Sequence, residues 1–273
     1  MNNQPEAPIG IFDSGVGGLS VLKAIRSQMP CEALIYLGDQ AHVPYGPRPL
    51  EQVRAFSEES TRFLLAKGAK LIVVACNSAS AASLPYLRAT FPDTPFVGME
   101  PAVKPAAEQT RSGIVGVLAT PATFQGALYA SVIERFAQDV TVLQHTCPGL
   151  VAQIEKGALN APETEAILRD ALSPMLVRGI DTIVLGCTHY PFVIPLIERI
   201  AGEQVRVIDP APAVARQAGR MLDARGLRQG RENTPVIYYS SAGTKLLEDL
   251  LPLLLGQNGH VQKVSWVEGR LKE

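Results

Sequence analysis

Leu71-Ile72-Val73-Val74-Ala75-Cys76-Asn77-Ser78 and Thr182-Ile183-Val184-Leu185-Gly186-Cys187-Thr188-His189 decide how this chain is read. Each is a run of aliphatic and β-branched residues without polar alternation, and each ends in a cysteine followed by two polar residues. Such runs suit strands covered on both faces, as in the parallel sheets of α/β proteins, where ligands sit beyond the carboxyl ends of the strands. Both thiols are therefore expected where chemistry takes place. Two matched contexts point to one duplicated unit facing a common site. The pairing has a chemical use, because taking a proton from one face of a carbon and returning it to the other needs two acid/base groups.

Short apolar runs continue to alternate with amphipathic stretches on both sides of these segments, the pattern of strands joined by crossover helices. Strands are predicted over Ile9–Phe12, Leu34–Leu37, Leu71–Ala75, Pro95–Met99, Ile114–Ala119, Val140–Gln144, Thr182–Gly186, Val205–Ile208, Val236–Tyr239 and Val261–Val267. Helices are predicted over Val53–Ala66, Phe124–Phe136, Glu163–Val177 and Ala213–Ala224. The order of elements repeats loosely: Ile9–Ser14 resembles Ile114–Thr120, and the two cysteines lie about a domain length apart. The expected fold is α/β, with two similar three-layer lobes, mainly parallel sheets and an active site in the cleft between them. Residues 1–99 with 211–273 form the first lobe, carrying Cys76, and residues 100–210 form the second, carrying Cys187.

A chain of 273 residues, 47% hydrophobic and with a formal net charge of −1, is an ordinary globular protein with room for two cores. It has no long basic run, which argues against a nucleic-acid or anionic-membrane surface. Met1–Pro8 lacks the charged start and apolar core of a secretory signal, and no apolar stretch is long enough to span a bilayer. A cytoplasmic location is expected, where Cys31, Cys76, Cys147 and Cys187 stay reduced. No Cys-x-x-Cys pair suggests a metal, and no lysine context suggests a pyridoxal Schiff base, so no metal or cofactor is expected.

Asp13-Ser14-Gly15-Val16-Gly17-Gly18 follows the first strand and opens a helix. Its glycines and free helix N–H groups suit a ligand carboxylate, or the stretch is a tight turn with Asp13 as helix cap. Pro44-Tyr45-Gly46, in a loop with His42 and Arg48, could close over a small ligand. Asn77, Ser78, Thr188 and His189 could hold the carboxylates and ammonium of an amino acid, or each set could cap the helix that follows. Glu155 could orient a base in the second lobe or be a solvated helix charge. Cys147 ends a strand without a matching partner set, Cys31 lies in a turn, and His145 and His260 carry no signature.

Ile11-Phe12-Asp13-Ser14-Gly15-Val16-Gly17-Gly18-Leu19, Pro44-Tyr45-Gly46, Ala75-Cys76-Asn77-Ser78-Ala79 and Gly186-Cys187-Thr188-His189-Tyr190-Pro191 together resemble the bacterial glutamate racemases of the cofactor-independent amino-acid racemase group. Ser78 stands where those racemases often have Thr, with the hydroxyl kept. Related aspartate racemases typically carry an acidic residue where this chain has His189. The resemblance implies two α/β lobes, with Asp13, Ser14, Tyr45, Gly46, Asn77, Ser78, Thr188 and His189 around glutamate. It implies Cys76 as base toward D-glutamate and Cys187 toward L-glutamate, with Asp13 assisting the first and His189, with Glu155, the second. It also implies supply of D-glutamate for peptidoglycan. The group is often dimeric, so a second copy of the chain joins glutamate among the expected partners.

Other readings make different demands. An aspartate racemase or another racemase of the same fold group is the nearest rival. A decarboxylase of that group needs one protonating cysteine rather than two. A thiol peroxidase would turn over peroxide, and a carboxylate-binding module would bind ligand with both thiols dispensable.

Overall fold

Leu71–Val74 and Thr182–Gly186 both form strands buried along their whole length. Their side chains alternate between two apolar clusters: Leu71 and Val73 face one, and Ile72 and Val74 the other. Burying each such side chain gains about 1.5–3 kcal/mol, against about 1–2 kcal/mol per residue for ordering the backbone, so a strand covered on both faces holds its place. The computed structural model describes residues 4–229 and 236–273. In it the strands are β1 (Ile9–Asp13), β2 (Leu34–Gly38), β3 (Leu71–Val74), β4 (Phe96–Gly98), β5 (Ile114–Ala119), β6 (Thr141–His145), β7 (Thr182–Gly186), β8 (Arg206–Ile208), β9 (Val236–Ser240), β10 (Val261–Lys263), β11 (Ser265–Val267) and β12 (Arg270–Lys272).

Two parallel sheets follow. One has the order β10-β9-β2-β1-β3-β4 and the other β6-β5-β7-β8, so the run β2-β1-β3-β4 is repeated by β6-β5-β7-β8. In each the strand order reverses at the first strand of the unit, leaving a crevice between the carboxyl ends of β1 and β3 and another between those of β5 and β7. Asp13 ends β1 and Cys76 follows β3; Thr120 follows β5 and Cys187 follows β7. After β8 the chain returns to the first sheet: helix Ala211–Asp223 packs on helix Leu19–Gln28, and β9 and β10 extend the sheet beyond β2. One apolar cluster runs from Ile11 and Val73 through Leu150 to Ile183 and Leu185, so the two lobes share a core. No helix among the described residues is long and apolar enough to cross a membrane.

Two predicted elements differ. The helix expected over Phe124–Phe136 is two, Pro121–Gln125 and Ala127–Phe136, broken at Gly126 in extended backbone. A Cβ there would stand 2.6 Å from that of Ala81, so the break brings two helices closer than any other residue allows. The strand expected over Val261–Val267 divides at the buried Val264, beyond which β11 leaves the sheet to pair antiparallel with β12. Glu268 and Gly269, both at positive φ, form the two-residue turn of that hairpin.

Candidate functional site

Helix Asn77–Thr90 begins directly after β3, and its N-cap is Cys76 itself: the thiol accepts the Ala79 N–H at 3.5 Å. Asn77 and Ser78 are therefore free of the capping role. Asn77 is buried, and neither atom of its amide has a hydrogen-bond partner among the described residues. The Ser78 hydroxyl pairs with that of Thr120, across the lobes, at 2.8 Å. In the second lobe, Cys187 is followed by Thr188, His189 and a single tight helical turn, Tyr190–Val193, whose N-cap His189 makes no side-chain capping bond. Cys187 Sγ lies 3.8 Å from His189 Nδ1, and Cys76 Sγ 4.0 Å from Ser14 Oγ.

These groups converge on one small cavity lined by Ser14, Tyr45, Gly46, Cys76, Asn77, Ser78, Cys187, Thr188 and His189. Pro44, from the Pro44-Tyr45-Gly46 motif, completes the lining with Thr120 and Val151, and the sequence did not single out the last two as site residues. The likeness of Ile9–Ser14 to Ile114–Thr120 was the available signal for Thr120, which takes the position in the second unit that Ser14 takes in the first. A larger open groove lined by Arg88, Lys104 and Arg220 holds neither strand-end cysteine. Cys147 is buried in the shared core, and Cys31 is part-exposed in its turn.

Asp13 and Glu155 stand behind the lining. Asp13 does not cap the first helix, whose N-cap Gly18 makes no side-chain bond. Its carboxylate accepts the Gly15 N–H at 2.8 Å and the Thr188 hydroxyl at 2.9 Å, the latter from the other lobe. Glu155 is buried, not solvated; Oε1 accepts from His189 Nε2 at 2.6 Å and from the Val16 N–H, again across the lobes, at 2.8 Å. An anion thus does sit at the glycine turn, and it is this chain's own Glu155. The glycines serve lobe contact: a Cβ on Gly15 would overlap Glu155, and one on Gly17 would overlap His189 and lie 2.7 Å from Thr188 Oγ1. Gly46 similarly presses on Thr120, at 2.8 Å from an added Cβ, and its carbonyl accepts the Ala122 N–H at 3.0 Å. Tyr45 is buried with its hydroxyl turned to Asp39 at 2.6 Å, and the residue lines the cavity. Arg48 donates to the His42 carbonyl and is not part of the lining.

Burial governs the charges. It pushes the Cys76 thiol far above its ordinary range, aided by the charge of Asp13 and opposed by the Ala79 N–H. Burial also raises Asp13, against the opposing effects of His189, the Gly15 N–H and Thr188. For His189 burial disfavours the charged ring, yet hydrogen bonds to Cys187 and Glu155 and the Glu155 charge hold it well above the usual imidazole range. Glu155 is the complement: burial would raise it, but the bond and charge of His189 and the Val16 N–H keep it low. Both shifts favour the charged forms of His189 and Glu155, and Nδ1 of the same ring faces Cys187.

The sequence profile of the family described as Asp/Glu/Hydantoin racemase matches residues 9–218. A glutamate racemase from Roseiflexus sp. (strain RS-1) is 55% identical over 227 residues, spanning 83% of this chain and 84% of that protein. Among solved structures, glutamate racemase isoform RacE1 from Bacillus anthracis superposes with a TM-score of 0.87 at 31% identity, covering 98% of this chain and all of that one. The glutamate racemase of Francisella tularensis, solved in complex with D-glutamate, superposes with a TM-score of 0.84 at 29% identity, covering 96% of this chain and 98% of that one.

Proposed function

The chain belongs to the Asp/Glu/hydantoin racemase family, and from that premise we propose that it interconverts L- and D-glutamate by proton transfer between two cysteines. The observation that carries this reading is the pair of buried thiols, Cys76 and Cys187, at equivalent strand ends and lining one cavity. An α-hydrogen is very weakly acidic, so the rate has to come from positioning and preorganised charge in a site closed to water.

Toward D-glutamate, Cys76 as thiolate takes the α-proton from one face and Cys187 as thiol delivers a proton to the other. The products are L-glutamate, a Cys76 thiol and a Cys187 thiolate, and the reverse reaction exchanges the roles. His189, charged through Glu155, stabilises the Cys187 thiolate directly. Among the described residues no cation acts on Cys76. Its thiolate is supported by the Ala79 N–H at the helix N-terminus and by the substrate's ammonium, while Asp13, its own proton affinity raised, is a suitable acceptor for the thiol proton. Asn77, whose amide groups have no partner among the described residues, and the Ser14, Ser78 and Thr120 hydroxyls supply donors for the two carboxylates, while the Thr188 hydroxyl stays on Asp13. The reaction as drawn needs no added cofactor, and its place is the cytoplasmic supply of D-glutamate for peptidoglycan.

The test is to incubate the purified protein with L-glutamate in deuterated water, without cofactor, following circular dichroism and α-deuterium by NMR. Loss of optical activity with deuterium in the product is expected. Unchanged glutamate would overturn the reading, and turnover of aspartate instead would move it to that substrate.

A further inference from the structure

One buried carboxylate that does not itself line the cavity is tied to a residue that does. Asp39 lies just beyond β2 and is fully buried. Four side chains from separate parts of the chain converge on it. Tyr45 Oη donates to Oδ2 at 2.6 Å and His42 Nδ1 lies 2.9 Å from the same oxygen, while Ser241 Oγ and Trp266 Nε1 donate to Oδ1 at 2.6 and 2.7 Å. Its own N–H donates to the Asp13 carbonyl at 2.9 Å. A carboxylate has about four acceptor sites, so this one is filled. The donors keep Asp39 below the usual carboxylate range even though burial pushes it up.

The cluster spans three stretches: the loop after β2, the end of β9 and the hairpin β11–β12. His42 stacks on Phe56 with ring centroids 3.9 Å apart and meets the Trp266 edge at 4.9 Å, so the hairpin packs on the loop as well as bonding to Asp39. Tyr45 is held between Asp39 behind it and the cavity in front. Its neighbour Gly46 touches the other lobe at Thr120 and Ala122.

We propose that Asp39 is a positioning residue for racemisation: it anchors Tyr45, so that Pro44–Gly46 closes the cavity over the substrate, and couples that closure to Trp266 on the C-terminal hairpin. This rests on the reading of the cavity as a glutamate site. Tyr45 contributes its ring and the neighbouring peptide to the site, not its hydroxyl. Trp266 is the chain's single tryptophan, so its emission reports the state of the cluster.

The test compares wild type, Asp39→Asn, Tyr45→Phe and the double variant in glutamate kinetics and in Trp266 emission titrated with D-glutamate. Loss of one charge-assisted hydrogen bond should raise KM about tenfold in each single variant, with kcat changed less than about threefold. The double variant should be no worse than Asp39→Asn alone, because both changes cut the same link. Wild-type emission should change on saturation, and Tyr45→Phe should abolish that change. Wild-type KM in Asp39→Asn, multiplying effects in the double variant, or an emission response that survives Tyr45→Phe would each overturn the proposal. Should Asp39→Asn lack a native near-ultraviolet circular dichroism spectrum, Tyr45→Phe and Trp266→Phe decide, the latter by KM alone. An inactive wild type would defeat the glutamate reading itself, whereas an active wild type with an unaffected Asp39→Asn defeats this inference alone.

Discussion

Cys76 and Cys187 occupy equivalent places in two sheets of the same strand order, yet their surroundings are opposite in charge. Cys187 faces an imidazolium that a buried carboxylate keeps charged. Cys76 caps a helix, faces a serine hydroxyl and has a buried carboxylate within Coulombic reach. The second thiol has an imidazole ring 3.8 Å away, and the first has a buried carboxylate near it. Duplicated topology placed the two groups, and side chains that differ between the units set how each is activated.

The strongest way to break this comparison is to remove one thiol at a time. Racemisation should fall by about 10³-fold or more in Cys76→Ala and in Cys187→Ala. Each variant should still wash deuterium into one enantiomer: D-glutamate for Cys187→Ala and L-glutamate for Cys76→Ala, read by NMR in deuterated water. Full racemisation by either would end the two-base assignment. A smaller, lopsided loss is expected for His189→Asn and Glu155→Gln, about 10²-fold in kcat from L-glutamate and less in kcat from D-glutamate, measured at saturation with each enantiomer because the racemic equilibrium forces kcat/KM to fall equally both ways. Equal losses in kcat from both enantiomers would mean that the pair serves the whole site. Thr120→Val removes the second unit's counterpart of Ser14 and should raise KM about five- to tenfold with little change in kcat, the worth of about one hydrogen bond.

The smallest effect is on stability. His189 is raised in the folded state, so what it contributes is fully present below its ordinary value of 6.5 and fades as pH rises through the raised one. Glu155 is depressed, so its contribution is present above 4.5 and is lost as pH falls through the folded value. The Tm difference between wild type and Glu155→Gln should therefore be widest between pH 4.5 and 6.5 and narrow on either side. A difference that stays flat with pH would show the pair to be packing rather than charge.

What could be read in advance was what is local. Aliphatic runs announced β3 and β7, and the polar residues behind each cysteine announced the cavity wall. Contacts between distant residues were silent. Nothing near Glu155 shows that Val16, 139 positions away, and His189 take up its carboxylate. The glycines after Asp13 looked suited to a ligand, whereas the space they leave is filled by side chains of the other lobe. Asp13 looked like a helix cap because it precedes a helix, but a hydroxyl donor from the other lobe at Thr188 takes part of it. The hairpin at the chain end was hidden because Glu268-Gly269 is a weaker turn signal than Asn-Gly or Asp-Gly.

The return of the chain to its first sheet has a consequence for biosynthesis. β2 is apolar and buried throughout, and its outer neighbour β9 begins at Val236, after the entire second lobe. While the chain is being made, that edge of β2 carries unpaired backbone groups until nearly the last strands emerge. A nascent first lobe is thus open to pairing with the wrong strand for most of translation. A fragment ending at Asp223 should aggregate rather than yield a free-standing half.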